Sequence, residues 1–259
     1  MDLGLKARKA LVCAASAGLG KACALALARE GVVVTITGRN VERLEAAAEA
    51  LRRLSGSEIR TAAGDITTEA GREAALKACP TPDILINNAG GPPAGDFRNF
   101  TDAQWQEALQ ANLLTPIALI KAVIDHMIAQ KFGRIVNITS AAVKSPLAGL
   151  ALSNTARTGL TGFIGGVSRE VARHNVIINN LLPGPFATDR IHVYAAAMAE
   201  KSGNTPEQEL ALRASAIPAG RLGDPAEFGA ACAFLCSAQA GYIVGQNLLI
   251  DGGGFNSTF

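Results

Sequence analysis

The chain has 259 residues, of which 49% are hydrophobic and 18% charged, with a net charge of +2. That balance supports a core buried on both faces of a parallel sheet, and it gives no electrostatic case for nucleic acid or an anionic membrane as partner. Cys13, Cys23, Cys79, Cys232 and Cys236 are scattered through apolar segments, which predicts reduced thiols in a cytoplasmic protein. Cys232 and Cys236 have no His or further Cys near them in sequence, so no metal site is expected. Residues 1–9 carry scattered charge rather than a signal-peptide pattern, and no stretch is expected to be long and apolar enough to span a bilayer.

Strand-like and helix-like segments alternate along the chain. Short buried strands are predicted at residues 10–13, 32–37, 59–63, 84–87, 134–139, 176–182 and 247–250, with helices at 18–30 and 41–54 after the first two. Thr101 with Gln104 forms a capping-box pattern that opens a helix running past Asn112, which Pro116 is expected to kink or break. Residues 149–174 form the longest helical candidate despite Gly159, Gly162, Gly165 and Gly166, each of which weakens helix propensity by roughly 1 kcal/mol. Close packing of another helix on that face would offset the cost, which suggests an oligomer interface. Alternation of this kind implies βαβ units. The expected architecture is α/β, a single doubly wound Rossmann-type domain over residues 1–259, with a seven-stranded, mainly parallel sheet flanked by helices. An irregular excursion at about 183–218, rich in proline at both ends, reads as a substrate lid.

The turn after the first strand reads Cys13-Ala14-Ala15-Ser16-Ala17-Gly18-Leu19-Gly20. A glycine-rich turn entering a helix lets backbone N–H groups approach a pyrophosphate, and Ser16, Gly18, Leu19 and Gly20 are the residues placed to do so. The second strand ends Thr37-Gly38-Arg39-Asn40, with no acid to hold a ribose 2′-hydroxyl. Arg39 offers a planar fork suited to a 2′-phosphate, so NADP(H) is favoured and NAD(H) stays open.

The glycine turn resembles the Thr-Gly-x-x-x-Gly-x-Gly of the short-chain dehydrogenase/reductase family, with Cys13 and Ala14 replacing the threonine and first glycine. The added methyl of Ala14 suits the turn if its backbone keeps an ordinary conformation. Asn87-Asn88-Ala89-Gly90, Asp65 after the third strand, Pro183-Gly184 with Thr188, the segment from Gly220 to Pro225, and that from Gly245 to Gly253 resemble further landmarks of the family, so the likeness spans nearly the whole chain. It is greatest to 3-oxoacyl-carrier-protein reductases and related sugar or alcohol dehydrogenases. The resemblance implies that Asp65, Asn88, Ala89, Gly90, Pro183, Gly184 and Thr188 contact the cofactor and that the protein is a homotetramer acting on a small-molecule carbonyl or alcohol, or on an acyl-carrier substrate.

In that family a Ser, an Asn and a Tyr-x-x-x-Lys pair act on the substrate carbonyl. Ser140 and Asn112 match the first two, but Ser153 stands in the tyrosine's place and Arg157 in the lysine's. Ser153 is a far weaker acid than a phenol, while Arg157 stays charged and has donors suited to ribose hydroxyls. Neither Tyr194 nor Tyr242 precedes a lysine by four residues; the first is assigned to lid packing and the second to structure. Lys144 is a further candidate for compensation. The resulting expectation is an atypical NAD(P)(H)-dependent oxidoreductase, with catalytic residues Ser140, Asn112, Ser153 and Arg157. The alternative is a catalytically silent NADP(H)-binding sensor or an inactive oligomer subunit, and a non-redox lyase or isomerase ranks third.

Overall fold

The computed structural model describes residues 1–258. Seven strands form one sheet: β1 (Lys9–Val12), β2 (Val33–Gly38), β3 (Ile59–Ala63), β4 (Ile84–Asn87), β5 (Gly133–Ile138), β6 (Val176–Pro183) and β7 (Asn247–Ile250). Their order is β3-β2-β1-β4-β5-β6-β7, and every pairing is parallel. The order reverses between β1 and β4, which opens a crevice at the carboxyl edge there, the place where open α/β sheets bind ligands.

Alternate strand residues point to opposite faces, so two apolar cores form. Val12, Ile36, Ile86 and Val136 pack on one face against helices α1 (Gly18–Arg29), α2 (Val41–Ser55) and α9 (Pro225–Cys236). Leu11, Leu85, Ile135 and Ile178 pack on the other, against α3 (Glu69–Ala78), α5 (Thr115–Ala129) and α6 (Ala151–Val171). Between α1 and α9 the fully buried Cys23, Cys232 and Cys236 meet; hydrogen bonding to Cys23 and burial hold the Cys232 thiol well above its ordinary pKa, as befits an inert packing group.

The structure corrects three sequence expectations. Helix α4 (Asp102–Leu109) starts with the expected capping box, Gln104 N–H donating to Thr101 Oγ1 at 3.3 Å and Thr101 N–H to Gln104 Oε1 at 2.9 Å. Pro116, however, neither kinks nor ends the helical run. The chain passes through a π-helical turn, Gln110–Leu114, directly into α5, and this change of hydrogen-bond register just before Pro116 lets the helix run on through a residue that cannot donate. As a result residues 102–129 form one helix long and apolar enough, by length and composition, to cross a membrane, contrary to the expectation that no stretch would be. Within this fold its Leu119, Ile120, Val123 and Met127 are buried in the second core.

The long glycine-containing helix is α6, followed by a 3₁₀ turn at Ala172–His174; Gly149, at φ +76°, precedes the helix rather than belonging to it. Apart from the helix's own adjacent backbone and chain neighbours, no atom of the described residues lies within 4 Å of a methyl group built on Gly162, Gly165 or Gly166. That helix face therefore has no close partner among the described residues. Past β6 come α7 (Asp189–Ser202) and α8 (Pro206–Ser215), the regular parts of the 183–218 excursion.

Candidate active site

The first turn of α1 is built to leave its N–H groups free. Ala17 precedes the helix and provides no side-chain cap, and the first turn holds no acid. Gly18 sits at φ +58°, a left-handed conformation that glycine adopts without strain. At Gly20 a methyl would fall 2.6 Å from the Ala14 carbonyl oxygen and 2.8 Å from Asn88 Nδ2, so only glycine lets the helix come this close to the turn. Asn88 Nδ2 donates to that same carbonyl at 3.1 Å, tying the end of β4 to the glycine turn. These features fit a nucleotide diphosphate.

Ala14 departs from expectation. It adopts φ +46°, not an ordinary conformation, and its N–H donates to Thr37 Oγ1 at 3.0 Å. A left-handed alanine costs roughly 1–2 kcal/mol. Ala14→Gly is accordingly expected to raise stability by about 1 kcal/mol, read as the urea midpoint; an unchanged or lower midpoint would contradict the strain. The neighbouring Cys13 thiol is pushed up to about 12 by burial, despite the Asn88 backbone N–H directed at it.

Arg39 and Asp65 face the same end of the crevice. Burial alone would raise the Asp65 carboxyl, but hydrogen bonds from Thr67 N–H at 2.9 Å and Thr67 Oγ1 at 2.8 Å, with the Arg39 charge, lower it. Arg39 is exposed beyond β2 and has no ion pair among the described residues. Arg43, one turn into α2, pairs with Asp189 at the start of α7 at 2.7 Å, so an ion pair joins the helix after β2 to the 183–218 excursion. Thr188 caps nothing; its Cγ2 lies 3.9 Å from a methyl built on Gly18. Gly184 packs on Asp251, whose carboxylate accepts from Gly253 N–H at 3.0 Å and Phe255 N–H at 2.7 Å. Ala89 and Gly90 follow Asn88 at the same edge, and a methyl on Gly90 would meet nothing within 4 Å.

The four catalytic candidates reach the carboxyl edge from three elements. Ser140 is extended (φ −162°, ψ 147°) just past β5, and its Oγ accepts from Ala142 N–H at 3.1 Å, leaving the hydroxyl hydrogen free to donate elsewhere. Asn112 is buried within the π turn, with Nδ2 donating to Ala108 O at 3.3 Å. Ser153 and Arg157, one turn apart on α6, are 9% and 8% exposed. No protein partner meets the Ser153 hydroxyl among the described residues. Arg157 donates through Nη1 to the carbonyls of Ile138 at 2.8 Å and Thr139 at 2.5 Å, gripping the end of β5 just before Ser140. Burial, then the charge of Arg190, lowers its pKa to about 10, so it remains a cation at neutral pH.

The other candidates are elsewhere. The Tyr194 ring stacks under Arg213 at 4.8 Å, joining α7 to α8, while Tyr242 is fully exposed rather than packed into the structure. Lys144 Nζ lies 5.8 Å over the Phe255 ring. Residue spacing did not reveal Arg43, Arg190 or an amide chain that crosses four strands beneath the site. Asn87 Nδ2 donates to Asn137 Oδ1 at 2.9 Å, Asn137 Nδ2 to Asn180 Oδ1 at 3.0 Å, and Asn180 Nδ2 to Asn247 Oδ1 at 2.8 Å. The signal was an asparagine in four predicted strands, which becomes meaningful only once the register sets them side by side.

The short chain dehydrogenase family profile matches residues 8–198. The chain belongs to the short-chain dehydrogenase family. It is 35% identical over 255 residues to the 3-oxoacyl-[acyl-carrier-protein] reductase FabG of Vibrio cholerae, covering 97% of this chain and 98% of that one. To the NADPH-dependent reductase BacG of Bacillus subtilis it is 32% identical, covering 96% and 98%. Among solved structures, L-sorbose reductase from Gluconobacter frateurii complexed with NADPH and L-sorbose superposes with a TM-score of 0.94 at 27% identity, covering 99% of this chain and 100% of that one.

Proposed function

We propose that this short-chain dehydrogenase family member is an atypical NADP(H)-dependent oxidoreductase interconverting a carbonyl and an alcohol, with Ser153 and Arg157 in place of the usual tyrosine and lysine. The observation that carries this reading is the uncapped start of α1, cradled by Gly18 and Gly20, at the same sheet edge as the free Ser140 hydroxyl. NADPH, when bound, supplies the hydride. Ser16, Gly18, Leu19 and Gly20 hold its diphosphate, Arg39 its 2′-phosphate and Asp65 its adenine side. Asn88, Ala89, Gly90, Pro183, Gly184, Thr188 and Arg157 line the rest of its path.

Ser140 donates to the substrate carbonyl oxygen and orients it. Arg157 fixes the strand end that carries Ser140 and keeps a positive charge beside the reacting oxygen. The proton reaches that oxygen through water held by Ser153 and Asn112. This route lacks a tuned phenol, and general acid catalysis is worth roughly 10²–10⁴-fold, so turnover is expected to be slow. Residues 183–218 act as the lid of a single domain, and the bare glycine face of α6 is the surface we assign to a homotetramer. An acyl-carrier substrate fits the likeness to the FabG reductases, and a cytoplasmic setting fits five buried free thiols.

Calorimetry with NADPH, followed by NADPH oxidation with a panel of carbonyl compounds, tests the reading; failure to bind any nucleotide overturns it. Arg39→Glu is expected to weaken NADPH roughly 10- to 100-fold, the worth of a charge-assisted hydrogen bond, while leaving NADH within a few-fold. Equal effects on both nucleotides would remove the 2′-phosphate assignment. A second reading, a silent NADP(H)-binding protein, is favoured by the engagement of the Tyr194 ring with Arg213 and the full exposure of Tyr242, and binding without turnover would select it.

A further inference from the structure

Two arginines converge on the site without a counter-ion. Arg157, 8% exposed, uses Nη1 on the Ile138 and Thr139 carbonyls, and no protein acceptor meets its Nε or Nη2 among the described residues. Arg190, from the first turn of α7, lays its guanidinium against Gly91; a methyl built there would fall 2.7 Å from Arg190 Cζ. Gly91 and Thr139 extend from β4 and β5, adjacent strands in which Asn87 pairs with Asn137, so both arginines stand at one stretch of the sheet edge. They are close enough for the charge of Arg190 to bear on Arg157. Neither has an ion pair among the described residues.

Two acids of the same sheet edge are already engaged. Asp189, beside Arg190 in sequence, is turned to Arg43, and Asp251 holds two backbone N–H groups. Two like charges this near one another favour an anion, and the Arg157 donors that meet no protein acceptor are open to a ligand rather than sealed in the core. The partly enclosed Ser153 hydroxyl, one helical turn from Arg157, adds a further idle donor.

We propose that Arg157, Arg190 and Ser153 form an anion-binding subsite for the substrate, and that the substrate is a carbonyl compound carrying a carboxylate or phosphate close to its reacting carbon. This rests on the oxidoreductase reading above and narrows its substrate class. Planar guanidinium forks match a carboxylate or phosphate, and Arg157 holds the strand end that leads into Ser140 while Arg190 lies against Gly91 past the neighbouring strand. The same chemistry could instead be met by the diphosphate of the cofactor, so the test separates the two sources.

Malonate, an unreactive dicarboxylate, is titrated calorimetrically into the full-length protein, with and without NADPH, and the steady-state constants are compared for acetoacetate and its neutral methyl ester. Arg190→Gln, an exposed change on α7 that should not disturb folding, is measured alongside. The expected result is malonate binding to the NADPH-loaded protein, weakened roughly 10- to 100-fold by Arg190→Gln. KM for acetoacetate should rise by a similar factor, while KM for the ester and the NADPH affinity stay within about threefold. Malonate failing to bind, or acid and ester losing equally, overturns the subsite. Loss of NADPH affinity in Arg190→Gln with malonate excluded by NADPH overturns it in favour of the cofactor diphosphate. If no nucleotide binds at all but malonate still does, in an Arg190-dependent way, the subsite stands and the oxidoreductase reading falls.

Discussion

Ser153→Tyr is expected to raise turnover of simple ketones by about 10²–10⁴-fold, the usual worth of a positioned general acid. Ser153 is nearly enclosed and its hydroxyl has no protein partner among the described residues, so a phenol there does not displace an existing bond. Arg157 lies one turn on, held in place by the Ile138 and Thr139 carbonyls, and remains positively charged. A fixed cation favours phenolate and lowers the phenol from its ordinary pKa near 10 toward the assay pH. The single change should therefore suffice. Adding Arg157→Lys loses the two carbonyl bonds in their present geometry and is expected to cost about 1.5–3 kcal/mol of stability, visible as a lower urea midpoint. The measurement is kcat for NADPH oxidation with one ketone in both variants. An unchanged kcat in a variant that folds and binds NADPH would mean that Ser153 does not face the reacting carbonyl.

Ser140→Ala is expected to lower kcat by about 10²–10³-fold, the loss seen when one preorganised donor to a developing oxyanion is removed. The hydroxyl accepts from Ala142 N–H, which fixes its direction and leaves its hydrogen for the substrate. Ala142 is buried, so losing the Ser140 hydroxyl leaves its N–H without a partner, and stability should fall by about 1–3 kcal/mol. The NADPH dissociation constant should stay within a few-fold, since Ser140 is not among the residues assigned to the nucleotide. A variant turning over within a few-fold of the parent would remove Ser140 from the mechanism.

Much of the fold was legible because period and punctuation agree locally. Each predicted strand lies within two residues of its observed bounds, and the Thr101 box and the Asn40 cap, whose Oδ1 accepts from Arg43 N–H at 2.8 Å, are contacts between residues three apart. Pro116 misled because a proline in mid-pattern reads as a break, whereas a π turn before it places it where a helix tolerates it. Ala14 misled in the opposite direction: its strained φ follows from the approach of α1 to the turn, a tertiary demand that alanine does not advertise.

The sequence by itself determined the parallel α/β architecture, the glycine turn that opens α1, an arginine just past β2, and Ser153 and Arg157 one helical turn apart, because each of these is written in short-range spacing and side-chain chemistry. Only the tertiary structure decided what these residues meet. It showed that Arg157 grips the end of β5, that Arg190 from α7 comes near enough for its charge to act on Arg157, and that four asparagines join across the sheet. Those contacts bridge residues from 18 to 67 positions apart, or arise between side chains that touch only after α7 folds over the sheet edge, and no local pattern records which distant charges will meet.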